Sequence, residues 1–128
     1  MLTNSAVTTM LPVIDLDRAR AFYEGCLGLT RGELRPDGKF VYEVGGSRLA
    51  LFPKPDGTKA DHTAISFQVA DIAGSIDELK RKGVVFEDYD FPGLKTVNHV
   101  CVLGAEKAAW FKDPEGNYLC LHEDVPLA

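Results

Sequence analysis

Apolar side chains recur along this chain with two alternating periods. Residues Val7 to Ile14 are extended in character and stop at Asp15, a residue able to cap a helix. The apolar positions that follow, Leu16, Ala19, Phe22, Tyr23 and Cys26, keep helical spacing, and Gly28 predicts the stop. From Leu29 to Phe52 short apolar runs are cut by Pro36-Asp37-Gly38 and by Gly45-Gly46, which predicts three strands joined by tight turns. The first half therefore reads strand, helix, strand, strand, strand.

A polar stretch from Pro53 to Asp61, rich in Pro, Lys, Asp and Gly, reads as a linker, after which the pattern restarts. Thr63 to Ala70 predicts a strand ending at Asp71. Ile72, Ile76, Leu79 and Val84 then mark a second amphipathic helix that closes at Gly83. Val84 to Tyr89, Lys107 to Phe111 and Asn117 to His122 predict further strands. Val69-Ala70-Asp71 repeats Val13-Ile14-Asp15 at a spacing of 56 residues, and both aspartates stand where a strand hands over to a helix. The chain thus reads as an α+β fold of two βαβββ units, over about residues 6–53 and 62–124 with a linker at about 54–61. One such unit cannot cover both faces of its sheet, so two packed copies are the economical solution.

The 128 residues, 45% hydrophobic and 26% charged, suit one domain with one ordinary core. With 14 basic and 19 acidic side chains the net charge is −5, and no stripe of Lys and Arg could neutralise a phosphate backbone, so nucleic acid is not an expected partner. Met1 to Met10 lacks a cationic and an apolar leader region, and no stretch approaches the ~18 apolar residues that span a bilayer. No membrane partner and a cytoplasmic location are expected. Cys26, Cys101 and Cys120 are odd in number and lack Cys-x-x-Cys spacing, so they read as reduced thiols filling the core.

Three stretches carry a family resemblance: Val13 to Tyr23 followed by Leu27-Gly28-Leu29, Phe67 to Ile72, and Trp110-Phe111-Lys112-Asp113-Pro114-Glu115-Gly116-Asn117. In these the chain resembles the vicinal oxygen chelate superfamily, which includes glyoxalase I, bleomycin-resistance proteins and extradiol dioxygenases. The resemblance implies that the two units curl their sheets into an open cup that holds a ligand. Each stretch also has a local reading. Asp113-Pro114-Glu115-Gly116 sets Pro and Gly where a tight turn needs them, and Phe22 and Tyr23 are helix-face core aromatics.

Strand alternation separates the two faces of each sheet. Ile65, Phe67 and Val69 form an apolar row for the helices, as do Leu119 and Leu121. The opposite rows give His62, Ala64, Ser66 and Gln68; Tyr118, Cys120 and His122; and Ala6, Thr8 and Met10. Trp110 joins them if it faces inward. The resemblance implies metal ligands, His or Glu, at one site on each of the first, fourth, fifth and eighth strands of the family fold. Those sites fall here on Thr8, Ala64 and Cys120, with Leu51 as the fourth. A hydroxyl, two apolar groups and one thiol do not replace imidazoles and carboxylates, so no metal or other cofactor is expected. A bulge or slip that moved His62 into the ligand site would give it only Cys120 as partner. Cys120 and His122 invite a nucleophile-and-base reading, but residues two apart on a strand are ~6.5 Å apart along it, which favours a buried thiol and an end-of-strand histidine. His99 lies in the long segment from Asp88 to Glu106, which reads as a lid, a binding loop or a disordered loop.

The expected function is binding of a small organic molecule in a pocket of Thr8, Met10, Leu51, His62, Ala64, Ser66, Trp110, Tyr118, Cys120 and His122. The alternatives are a metal-dependent lyase, isomerase or dioxygenase with non-standard ligands, and a structural or regulatory relative without activity. The open sheet edges of a single pair of units, together with the resemblance, imply a homodimer.

Overall fold

A computed structural model describes residues 1–125. The chain divides into two compact units, Met1–Lys59 with Pro114–Asn117, and the remainder from Ala60. The first unit contains β1 (Thr8–Val13), α1 (Leu16–Gly25), β2 (Gly32–Leu34), β3 (Phe40–Val44) and β4 (Ser47–Pro53). Its strands lie in the order β1-β4-β3-β2, with β1 parallel to β4 and the others antiparallel. The second unit contains β5 (Thr63–Gln68), α2 (Ile72–Arg81), β6 (Asp90–Phe91), β7 (Leu94–Lys95), β8 (Cys101–Leu103), β9 (Glu106–Lys112) and β10 (Tyr118–Asp124). Its main sheet runs β5-β10-β9-β8, with β5 parallel to β10, and so repeats the order of the first; β6 and β7 form a separate hairpin.

The two helix starts are chemically alike. Asp15 and Asp71 are both N-caps in extended conformation, and each Oδ1 accepts the backbone N–H three residues on, from Arg18 at 3.0 Å and Gly74 at 3.1 Å. Each satisfies an N–H that the helix itself cannot. α2 stops in a paired closure, Gly83 N–H to Lys80 O and Val84 N–H to Leu79 O, both 3.0 Å, which needs the positive φ of 96° that Gly83 adopts.

Each sheet has a helix-covered face. In the first unit it carries Leu11, Val13, Phe40, Tyr42, Leu49 and Leu51, all buried. The Tyr42 hydroxyl donates to the Glu24 carboxylate of α1 at 2.7 Å, and its ring lies 6.5 Å from that of Tyr23. In the second unit it carries Phe111, Leu119 and Leu121, with Ile72 and Ile76 of α2 buried. Removing a side chain of this size from water contributes roughly 1.5–3 kcal/mol.

Two expectations differ from the fold. Val84 to Tyr89 forms no strand; Phe86 makes a single bridge to Phe111 and Glu87 N–H reaches Trp110 O at 2.8 Å. The edge of β9 is already taken at Glu106–Ala108 by β8, leaving only its far end for this segment. The stretch from Asp88 to Glu106 holds β6, β7 and β8, three strands too short to show a period of their own. No helix among the described residues is long and apolar enough to cross a membrane.

Candidate functional site

In the second unit, cross-strand pairing puts Ser66, Trp110 and Cys120 in one row, Gln68, Ala108 and His122 in the next, and Thr63, Lys112 and Tyr118 in a third. These share the face turned away from Phe111, Leu119 and Leu121. Ser66 and Gln68 are exposed, Trp110, Tyr118 and His122 are half-buried, and Cys120 is buried. The Trp110 indole N–H donates to Thr63 Oγ1 at 3.1 Å, and the Tyr89 ring meets the indole edge-on at 5.7 Å. Burial pushes the Tyr89 phenol up. Lys112 Nζ lies 4.8 Å above the Tyr118 ring, and Gln68 donates to Asp124 at 3.1 Å. Flat aromatic surface thus alternates with hydroxyl, amide and imidazole groups.

Cys120 and His122 are directed to different partners. The thiol donates to Leu121 O at 3.2 Å, and His122 Nδ1 lies 2.6 Å from Ser66 Oγ. Burial pushes the Cys120 thiol up, away from the thiolate a nucleophile requires. Ala64 sits at a register shift, where Tyr118 partners Thr63 and Leu119 partners Ile65, so Ala64 has no cross-strand partner in that ladder. His62 is exposed and precedes β5.

In the first unit, Thr8 and Met10 stand on the face away from α1, opposite Arg48 and Ala50 of β4. Leu51 is not on that face. It pairs with Leu11 and Phe40 on the helix side and is fully buried, because neighbours along a strand point to opposite faces. The β4 residues that share Thr8's face are Arg48, Ala50 and Phe52. The donors on these faces at the expected metal positions are the Thr8 hydroxyl in one unit and the Cys120 thiol in the other. Among the described residues, no group of three or more His, Cys, Asp and Glu side chains is close enough together to hold a metal ion.

Three features were not foreseen. Glu115, its side chain fully buried, accepts from Ile14 N–H at 2.6 Å, Asp15 N–H at 3.3 Å and the Arg18 guanidinium at 2.9 and 3.1 Å. His99 bridges Asp88, at 3.0 Å, and Lys80, at 3.2 Å, beside a hollow of about 560 Å³ lined by Ile72, Ile76, Val97 and Lys107. Arg35 lines a second hollow with Thr8 and Arg48. Sequence offers a partial signal for Glu115, an acid inside a Pro-Gly turn, and none for the other two, since their partners depend on register.

A family model for the glyoxalase/bleomycin resistance protein/dioxygenase superfamily matches residues 5–121. The chain belongs to this superfamily. Among solved structures it is similar to a glyoxalase family protein from Bacillus anthracis, at 18% identity over 94% of this chain and 95% of that one, with a TM-score of 0.74. A superfamily member from Sphaerobacter thermophilus is 24% identical over 97% and 100% of the two chains, with a TM-score of 0.72. TnmS3, an antibiotic binding protein from Streptomyces sp. CB03234, is 20% identical over 97% and 98%, with a TM-score of 0.68. These likenesses establish the superfamily's α+β fold. A comparison with curated proteins found no match.

Proposed function

We propose that this superfamily member is a cytoplasmic protein that binds a small organic molecule without a metal. The observation that carries the reading is the make-up of the second unit's sheet face turned away from Phe111, Leu119 and Leu121. Trp110 and Tyr118 offer rings for stacking, while Ser66, Gln68 and His122 offer a few placed polar groups, the mixture that orients a small ligand. Thr8, Ala64 and Cys120, with the expected fourth position Leu51 an apolar side chain on the helix side, do not fit a divalent metal, which takes about three N, O or thiolate ligands from the protein. A fold relative named as an antibiotic binding protein makes planar antibiotics a sensible first panel.

Trp110 is the only tryptophan, so its fluorescence reports this face directly. Titration with a panel of planar aromatic metabolites and antibiotics should give saturable quenching that EDTA leaves unchanged, and a matching calorimetric signal lost in Trp110→Leu. Metal-dependent binding, or a metal-to-chain ratio near one after dialysis that falls in Cys120→Ala or His62→Ala, would establish the lyase, isomerase or dioxygenase reading instead. The same reading includes a homodimer, formed through open edges of the two four-stranded sheets. A sedimentation profile with only a monomer of about 14 kDa at micromolar concentration overturns that part.

A further inference from the structure

Arg35 opens the turn between β2 and β3. Its N–H donates to Lys39 O at 2.8 Å and its carbonyl accepts from Gly38 N–H at 3.0 Å, so the backbone that carries the side chain is fixed. Arg35 lines a hollow of about 420 Å³, together with Thr8, Asp37, Lys39, Val41 and Arg48. Arg35 Nε is buried and has no hydrogen-bond acceptor, the single such side-chain nitrogen or oxygen among the described residues. A buried polar group left unsatisfied destabilises the fold, and more so when it is charged, so a lone orphan asks for an explanation.

The charges around it narrow the chemistry of a partner. Lys39 is neutralised by Asp37, whose carboxyl it holds below the ordinary range through their hydrogen bond. Arg35 and Arg48 form no ion pair among the described residues, although the chain as a whole is acidic. Thr8 stands directly opposite Arg48 in the ladder and adds a hydroxyl. Guanidinium groups present planar donor forks that match carboxylate or phosphate oxygens. We infer that Arg35, Arg48 and Thr8 form a binding site for the oxyanion head of a small molecule, a carboxylate or a phosphoryl group. Val41 gives the hollow an apolar wall against which the body of such a molecule rests. The site takes Thr8 from the pocket expected from sequence, adds an anionic head to what is bound, and draws on no residue of the Trp110 face. Its rivals are Glu33 and Glu43, which line a smaller hollow of about 270 Å³ on which Arg35 also borders; Glu43 also stands opposite Arg48 in the β3–β4 ladder.

The test is a side-chain Nε–Hε NMR titration of the intact protein with sodium benzoate and with inorganic phosphate, at constant ionic strength set by chloride. The Arg35 resonance should move saturably, at millimolar concentration or below, with benzoate if the head is a carboxylate and with phosphate if it is phosphoryl. Arg48→Gln should weaken the response at least tenfold. In Arg35→Lys, which keeps the charge and loses the fork, the backbone amide of Val41 should stop responding. A response no larger than that to chloride overturns the site, as does an Arg35 resonance that moves in Glu33→Gln or Glu43→Gln and with neither anion. The wild-type titration decides even if a variant fails to fold. Loss of the anion response with Trp110 quenching intact would sink this site alone, and the reverse would sink only the proposed function.

Discussion

A carboxylate withdrawn from water destabilises a fold unless its oxygens are used, and those of Glu115 accept two backbone N–H groups and the Arg18 guanidinium. The N–H groups belong to Ile14 and Asp15, the last residues before α1, so this side chain fixes the point where the strand turns into the helix. Glu115→Ala should destabilise the protein by about 2–4 kcal/mol, since it leaves buried donors unpaired. Arg18→Ala should cost less, about 1–2 kcal/mol, because half of that side chain is in solvent and the two backbone N–H groups still serve the buried carboxylate. Urea midpoints of the two variants measure the difference; equal effects would mean that the ion pair, and not the backbone donors, carries the interaction. The acid was legible as part of a turn and its task was not, because its partners lie about a hundred positions earlier in the sequence.

At the scale of elements, the turn at Asn98-His99 shows local geometry overruled by side-chain partners. Val97 and Val100 exchange both backbone hydrogen bonds, at 2.8 and 3.1 Å, and the two residues between them have φ of 51° and 71°. That left-handed pair suits Asn-Gly, and His in the second place carries strain of order 1–3 kcal/mol. The imidazole offsets it with bonds to Asp88 and Lys80 and a ring contact with Phe86 at 5.9 Å. His99→Ala keeps the strain and loses the partners, whereas His99→Gly loses both. The glycine variant should therefore be the more stable of the two by about 1 kcal/mol. Thermal unfolding of the pair checks this, and an alanine variant as stable as the glycine one would show that the turn is not strained. The same principle explains what sequence did reveal at this scale. Asp15 and Asp71 were legible because a cap acts on its own helix, and the rows of β5 and β10 because period-two alternation is local. Leu51 was assigned to the wrong face, β8 was missed, and the shift at Ala64 was invisible, since each depends on which strand lies alongside.

For the molecule as a whole, both units hold an acid that folding keeps neutral. In the first, burial and then the hydrogen bond to Glu24 push the Tyr42 phenol far up; in the second, burial pushes up the Cys120 thiol. Raised values favour the protonated forms, so their stabilisation is complete below the ordinary thiol and phenol ranges, about 8.5 and about 10, and is lost as pH rises beyond them. Glu24 has the opposite sign: Tyr42 first, and then Arg20, hold its carboxyl below the ordinary range. Its contribution is present above the unfolded value near 4.3 and disappears as pH falls through the lower folded one. Denaturant midpoints followed from pH 3 to pH 11 should hold level in between and fall at both ends, with Tyr42→Phe flattening part of the alkaline fall. A profile unchanged by that substitution would show that Tyr42 does not govern it. The order β1-β4-β3-β2 recurs as β5-β10-β9-β8, yet the halves are not interchangeable parts. Pro114–Asn117 is numbered with the second half and belongs to the first unit, where Glu115 holds Ile14 and Asp15 and Asn117 donates to Pro12 O at 3.0 Å. Severing the gene between Lys59 and Ala60 would strand both side chains on the wrong fragment. A polypeptide ending at Lys59 would lack a piece of its own structure, restorable only by supplying that short loop in trans.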